Sequence, residues 1–474
     1  MTMHSAPGAH LPAASGEPFE QAVVISPSSI AKPFGESNRA AGPPTRLQVS
    51  LLMLIGLIVL FARAPHLLLQ GHVVAEEGTT YLLYAWDATP LRALLAPHQG
   101  YYSLLDNLCA LIAARVLPLS ATALFFTWTA AAIQLLLLFL TVQCEAFRTP
   151  LQRWLALFAL LLATPNFEIW LSLENCQWLL VVAAAVILIS STRRLFLLRS
   201  ATLALGALSG VTTVPLIPLF WLKAWRERSR RAVVFALSIT LPAFLQSAIL
   251  LRAMSAGDRP VSTHEIRALV AYTSSRVLVL PFTTGRGALY YDTFLFHHPG
   301  IVWSLTLYIA SAILLVLGFL LFRTSRAALL LYVSALLSCA FDWYGCFHCT
   351  FDLILASPGG EGRYFFPANA ILLLALLLSA TSASGRWVAR ASFVAFAWLL
   401  VTGTFQYFRM RPIFTGYPAW LPQVRRWEVD EHQPIIIAPD FWRTNPLHLP
   451  HRHPNLADLP ANADDPASGH QIRD

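Results

Sequence analysis

Runs of roughly twenty apolar residues recur along the chain, the length an α-helix needs to cross the hydrocarbon core of a bilayer. Inside lipid the backbone must satisfy its own hydrogen bonds, so only helices and closed barrels span it. A barrel would read as short segments of alternating polarity. Here Leu, Ala, Val and Phe follow one another without alternation. Composition agrees: the 474 residues are 56% hydrophobic and 12% charged, whereas soluble chains carry about a quarter charged residues. The expected fold is an all-α polytopic transmembrane helical bundle.

Full spans are expected over 47–62, 119–143, 153–167, 176–191, 232–251, 301–322, 327–343, 364–381 and 387–405. The stretch 201–224 differs. Its apolar halves are broken by Gly210, Thr212, Thr213 and Pro215, and both flanks are basic: Arg193, Arg194 and Arg199 before, Lys223, Arg226, Arg228, Arg230 and Arg231 after. A hairpin of two short helices keeps both clusters on one side, which brings the expectation to about eleven membrane helices. Those clusters share their side with Arg148, Arg153, Arg323, Arg326, Arg386 and Arg390. By the positive-inside rule that side is the cytoplasm. The net charge of +8 therefore sets topology, and nucleic acid is not an expected partner.

Three regions follow. Residues 1–46, rich in Pro, Ser, Gly and Ala, read as a disordered cytoplasmic tail. Residues 47–405 form the transmembrane domain, and 406–474 a non-cytoplasmic C-terminal segment. The acidic residues gather on the outer side, in 63–118, 168–175, 252–300 and 344–363. Cys109, Cys144, Cys176 and Cys339 read as buried small hydrophobes. The run Cys346-Phe347-His348-Cys349 lacks a second Cys/His pair nearby to complete a metal site.

The first outer loop carries Gly71-His72, then Ala75-Glu76-Glu77-Gly78, then Gly100-Tyr101-Tyr102. Adjacent carboxylates raise one another's pKa, which is how a carboxylate becomes a general base near neutral pH. A solvated surface pair is the plain alternative. Asp106, Asn107 and Arg115 argue that 103–117 lies in the interface, so two interfacial helices flanking a polar turn are expected. In the second outer loop Glu174, Asn175 and Gln177 can face the same cavity, with Trp170 and Trp178 as interface anchors. Arg252, Arg259, Arg267, Arg276 and Arg286 in 252–300 run against the positive-inside trend and suit an anionic ligand, lipid headgroups or the outer acids. Arg363, followed by Tyr364, stands at the outer mouth of a late span, placed for a lipid-linked phosphate or for snorkelling.

This arrangement resembles the GT-C superfamily of integral membrane glycosyltransferases, which take sugars from polyprenyl phosphate, as in the lipid A aminoarabinose transferases and protein O-mannosyltransferases. The features that carry it are the acidic pair Glu76-Glu77 after the first span, the turn at 100–102, the hairpin at 201–224 and Arg363-Tyr364-Phe365-Phe366-Pro367 opening a late span. More closely, the chain is similar to a bacterial group with Ala-Glu-Asp-Gly in the first loop and Asn-x-Gln-Trp in the second, seen here as Ala75 to Gly78 and Asn175 to Trp178. Glu77 stands where that group has Asp. Towards the end, Trp420 to Val429 and Ile435 to Pro439 are the counterparts of that group's closing stretches.

The resemblance implies a bacterial inner-membrane enzyme with its N-terminus in the cytoplasm and its C-terminus outside. Its partners would be a polyprenyl-phosphate-linked sugar, a glycan or lipid acceptor and membrane lipids. Glu76 or Glu77 would act as base. Arg363 and Tyr364, helped by Arg259 or Arg276, would hold the donor phosphate, and His72, Tyr101, Tyr102, Glu174, Asn175 and Gln177 would line the acceptor cavity. Nothing in the sequence settles whether a divalent cation assists. A lipid-linked-sugar transporter and a non-enzymatic envelope assembly protein are the alternatives.

Overall fold

The computed structural model describes residues 43–256, 266–298, 301–345, 362–382, 385–409, 418–437 and 447–449. Arg259, Glu361, the Cys346 to Cys349 run and most of both tails lie outside the described residues. The described chain is almost wholly helical. Around the first outer loop run α1 (Arg46–Arg63), α2 (Pro65–Gln70), α3 (Leu83–Asp87), α4 (Pro90–Leu95) and α5 (Leu104–Arg115). Then come α6 (Thr122–Val142), α7 (Pro150–Leu162), α8 (Cys176–Ile189), α9 (Phe196–Leu208), α10 (Ile217–Glu227) and α11 (Arg230–Ala256). The remainder holds α12 (Ile266–Thr273), α13 (Leu280–His297), α14 (Ile301–Thr324), α15 (Arg326–Gly345), α16 (Gly362–Ala380), α17 (Arg386–Arg409) and α18 (Trp420–Val429).

Among the described residues, six regions, in or around α1, α6, α11, α14, α16 and α17, are long and apolar enough to cross a membrane. Helices α7, α8 and α9 are apolar but have 13, 14 and 13 residues, about 20 Å each, short of the roughly 30 Å hydrocarbon core. The expected spans 153–167 and 176–191 are thus shorter helices than the sequence suggested. Helix α7 stops before Pro165, which has no N–H to continue it. At the centre stand α8 and α16, buried on every side; in α16 every residue from Phe365 to Ser379 is buried. A helix apolar all round belongs in a core. The outer helices leave apolar side chains exposed, among them Leu54 and Ile58 on α1, Leu241 and Phe244 on α11, Leu315 and Phe319 on α14, and Trp387 and Val394 on α17. So much exposed apolar surface is incompatible with water and fits a bilayer as solvent.

The stretch 201–224 folds back on itself. At the open end, Arg199 donates to the Ser191 carbonyl and Lys223 to the carbonyls of Leu188 and Ser190. Both basic flanks therefore meet at the C-terminal end of α8, where cations complement orphan carbonyls. At the closed end, Gly210 has φ +153° and a Cβ there would lie 2.2 Å from the Gln177 side chain. Glycine lets the hairpin tip press against the start of α8.

The first outer loop departs from the expected pair of interfacial helices. Its first half is a π-helical turn (Glu77–Leu82) and α3, then a break at Ala88 and Thr89, then α4 with Pro90 in its first turn. A two-stranded ribbon follows, β1 (Pro97–His98) against β2 (Tyr101–Tyr102). Gln99 and Gly100 have φ +52° and +79°, as a tight two-residue hairpin requires. The second half, α5, turns Asp106 and Asn107 inward rather than towards headgroups; both are buried. Asn107 donates to the carbonyls of Leu94 and Ala96, and Leu105 N–H donates to Ser209 at the hairpin tip. The segment 266–297, expected as outer loop, is largely helical: α12, a second π-helical turn (Ser274–Val279) and α13, which is kinked at Thr284 with φ +72°. Helix α18 closes over the first loop. Its Trp420 indole donates to the Leu119 carbonyl, its Trp427 ring meets Trp86 edge-on at 6.1 Å, and Ile437 packs on Gly78. Cys109, Cys144, Cys176 and Cys339 are buried free thiols.

Candidate functional site

The two glutamates of the first loop point in different directions. The side chain of Glu77 is 2% exposed and tied down at both oxygens. Oε2 accepts from Val74 N at 3.0 Å; Oε1 accepts from Ser172 Oγ, Leu173 N and Glu174 N at 3.2, 2.6 and 3.3 Å. It fastens the segment 63–118 to the segment 168–175. Burial pushes its carboxyl up to about 8, against the pull of the backbone N–H groups of Val74, Leu173 and Glu174.

Glu76 instead lines a cavity. Its walls come from the first loop (Glu76, Tyr81, Gln99, Tyr101), the start of α8 (Glu174, Gln177, Trp178), the hairpin tip (Val211, Thr212), the end of α15 (Phe341, Asp342) and the start of α16 (Arg363, Tyr364). Gln99, projected by the ribbon turn, donates to Glu76 Oε1 at 3.0 Å. Arg363 Nη1 lies 3.2 Å from Glu174 Oε1. The Trp178 and Tyr364 rings meet edge-on, centroids 5.1 Å apart.

Glu76 and Glu174 face one another across this cavity, so their titrations separate. Burial pushes Glu174 well above the usual carboxylate range, and the neighbouring Glu76 charge pushes it further. Burial also acts upward on Glu76, but the hydrogen bond from Glu174, the Arg363 charge and Gln99 outweigh it and hold Glu76 below that range. Burial and their mutual charge thus drive the two carboxyls apart, Glu174 upward and Glu76 downward. Tyr101 is raised by burial and by Glu76, Asp106 and Glu174. Asp106, which accepts from Ser103 Oγ, is pushed up to about 7, chiefly by burial.

The cavity thus brings together Glu76, Glu174, Asn175, Gln177, Tyr101, Arg363 and Tyr364. Three other expected residues among those described sit elsewhere. His72 is buried against Thr127, Nδ1 to Oγ1 3.2 Å, and burial, with His66 nearby, pushes it down to about 3. Tyr102 exchanges two backbone hydrogen bonds with the Gln246 side chain and donates its hydroxyl to the Leu94 carbonyl. Arg276, 2% exposed, is neutralised by Asp292 at 2.7 Å, so burial has taken an internal counter-ion for it rather than a ligand. Arg259 lies outside the described residues. The expected interface anchors are also internal: Trp170 packs edge-on to Tyr407 with the Arg63 guanidinium over its ring, and Trp178 stands in the cavity wall.

Sequence reading missed Gln99, Thr212 and Asp342. Gln99 and Thr212 carry no signal of their own, since the turn and the hairpin tip place them. Asp342 did carry one: it is the only charged residue of the apolar stretch 327–343, and an ionisable group in a span is costly unless it serves a function. Among the described residues no three His, Cys, Asp or Glu side chains are grouped to hold a metal ion. No protein family, no curated protein and no solved structure matches this chain.

Proposed function

We propose that the chain is an inner-membrane glycosyltransferase of the GT-C type, moving a sugar from a polyprenyl-phosphate donor to a glycan or lipid acceptor at the outer face of a bacterial membrane. The observation that carries this reading is the gathering of Glu76, Glu174 and Arg363 in one cavity walled by aromatic rings and amides, with Glu76 held below the usual carboxylate range and Glu174 pushed above it. Ionised at neutral pH, Glu76 takes the proton of the acceptor hydroxyl. The acceptor oxygen forms a bond to the anomeric carbon as the bond from that carbon to the phosphate oxygen breaks, and polyprenyl phosphate leaves with the electron pair. While Glu174 holds its proton it does not cancel the Arg363 charge, which stays open to the phosphate. A cation fixed where negative charge develops supplies several kcal/mol of transition-state stabilisation.

The topology that goes with this is about eleven membrane helices, with the N-terminus cytoplasmic and the C-terminus outside. It draws support from the hairpin 201–224, whose basic flanks meet at one end of α8. It also draws support from α18, which packs on the first outer loop and so shares its side. The test is direct transfer: the purified protein is incubated with labelled polyprenyl-phosphate sugars and a bacterial envelope extract. Label moving from donor to acceptor supports the reading. Label that stays on the donor with active, intact protein overturns it.

A further inference from the structure

The cavity holds a third carboxylate that the mechanism above does not use. Asp342 stands near the end of α15, 3% exposed. Its Oδ2 is buried without a hydrogen-bond partner, although the side chain lines the cavity. A buried carboxylate oxygen with no donor is costly and is retained only if something supplies one. The one guanidinium among the described lining residues, Arg363, is engaged by Glu174. The same cavity is lined by Phe341, Trp178 and Tyr364 and by the amides of Gln99 and Gln177. Aromatic rings, neutral amides and unpaired carboxyl oxygens in one cavity suit a ligand that is apolar on its C–H face and rich in hydroxyl donors at its edge.

We propose that Asp342 is a ligand-contacting, specificity-determining residue: its carboxylate accepts hydrogen bonds from ring hydroxyls of a neutral sugar seated against Trp178 and Tyr364. The proposal deepens the reading of this cavity as a carbohydrate site. A buried carboxyl group paired with ring hydroxyls makes a contact demanding in geometry. A site built this way rejects an analogue that lacks the contacted hydroxyl, because the acceptor is then left buried and unpaired.

Binding tests it without a known substrate. The full chain, in a detergent with no sugar headgroup, is titrated with methyl pyranosides of glucose, galactose and mannose, their monodeoxy analogues and methyl glucosaminide, following quenching of tryptophan fluorescence. Trp178→Phe identifies the part of the signal that comes from the cavity. At least one neutral glycoside is expected to bind saturably. Asp342→Asn, isosteric but with an amide in place of the carboxyl, weakens that glycoside about tenfold, as leaving a buried hydrogen-bonding group mispaired does. One deoxy analogue binds the wild type equally weakly and loses nothing further in Asp342→Asn. That deoxy comparison uses unaltered protein, so it stands even if the variant folds poorly. No saturable quenching by any probe, unchanged affinity in Asp342→Asn, or a preference for the glucosaminide that Asp342→Asn abolishes would each overturn the proposal. Asp342-dependent binding with normal transfer in Glu76→Gln would sink the mechanism and leave this contact standing; the reverse result would remove Asp342 alone.

Discussion

Glu174 contacts both Glu76, whose charge raises its titration, and Arg363, whose Nη1 donates to Glu174 Oε1 at 3.2 Å. The linkage predicts the shape of the pH profile. The titration of Glu76 is held below the ordinary carboxylate range, so its basic form persists above that lowered value, and transfer falls only as pH drops through it. The titration of Glu174 is raised, so its proton is present below that raised value and lost as pH rises through it. Once ionised, Glu174 cancels Arg363, and transfer declines on the alkaline side. Glu174→Gln keeps a neutral donor at this place. It is expected to retain the acid limb and lose the alkaline one, read from kcat/KM against pH. An unchanged alkaline limb in Glu174→Gln would place that titration elsewhere.

Glu77 is expected to act through structure. Replacing it with Ala strands four donors, from Val74, Ser172, Leu173 and Glu174. Each buried donor left unpaired costs about 1–3 kcal/mol. Glu77→Ala should therefore lower the temperature at which the detergent-solubilised protein loses monodispersity, with Glu77→Gln between it and the wild type. A thermally normal Glu77→Ala that had lost transfer would assign Glu77 to the chemistry instead.

Arg276 and Asp292 form a buried ion pair, 2% and 1% exposed. Breaking one half leaves a buried charge uncompensated, at about 3–5 kcal/mol. Arg276→Ala is expected to reduce the yield of folded protein while donor KM and transfer per folded molecule stay near normal. A raised donor KM in well-folded Arg276→Ala would restore it to phosphate binding.

For Arg363 the opposite holds. Arg363→Lys keeps the charge without the planar fork and should retain a fraction of transfer; Arg363→Ala should abolish donor use, with both proteins inserting normally. Full transfer by Arg363→Ala would remove the phosphate role from this residue.

The bundle was legible because lipid imposes one rule on every span, and the hairpin because Gly210, Pro215 and two basic flanks all bear on one short stretch. The acidic pair misled. Adjacent residues were expected to repel one another, yet the π-helical turn at Glu77–Leu82 sends Glu77 into the protein, while Glu76 finds its partner 98 positions on, at Glu174. Likewise the arginines of 252–300 read alike in sequence, and only packing shows that Arg276 has Asp292. Long-range pairing decides both cases, and no local pattern encodes it. Asp342 was readable from composition alone, since a single charge in an apolar stretch is itself the signal.

The central claim is that Glu76 is the base of a transfer reaction, and Glu76→Gln tests it most directly. The amide is isosteric, still pairs with Gln99, and leaves the Glu77 anchor intact. With labelled polyprenyl-phosphate sugar as donor, and with expression and thermal stability matching the wild type, transfer is predicted to fall about 100-fold or more, the usual weight of a general base. Near-normal transfer by Glu76→Gln would contradict the account.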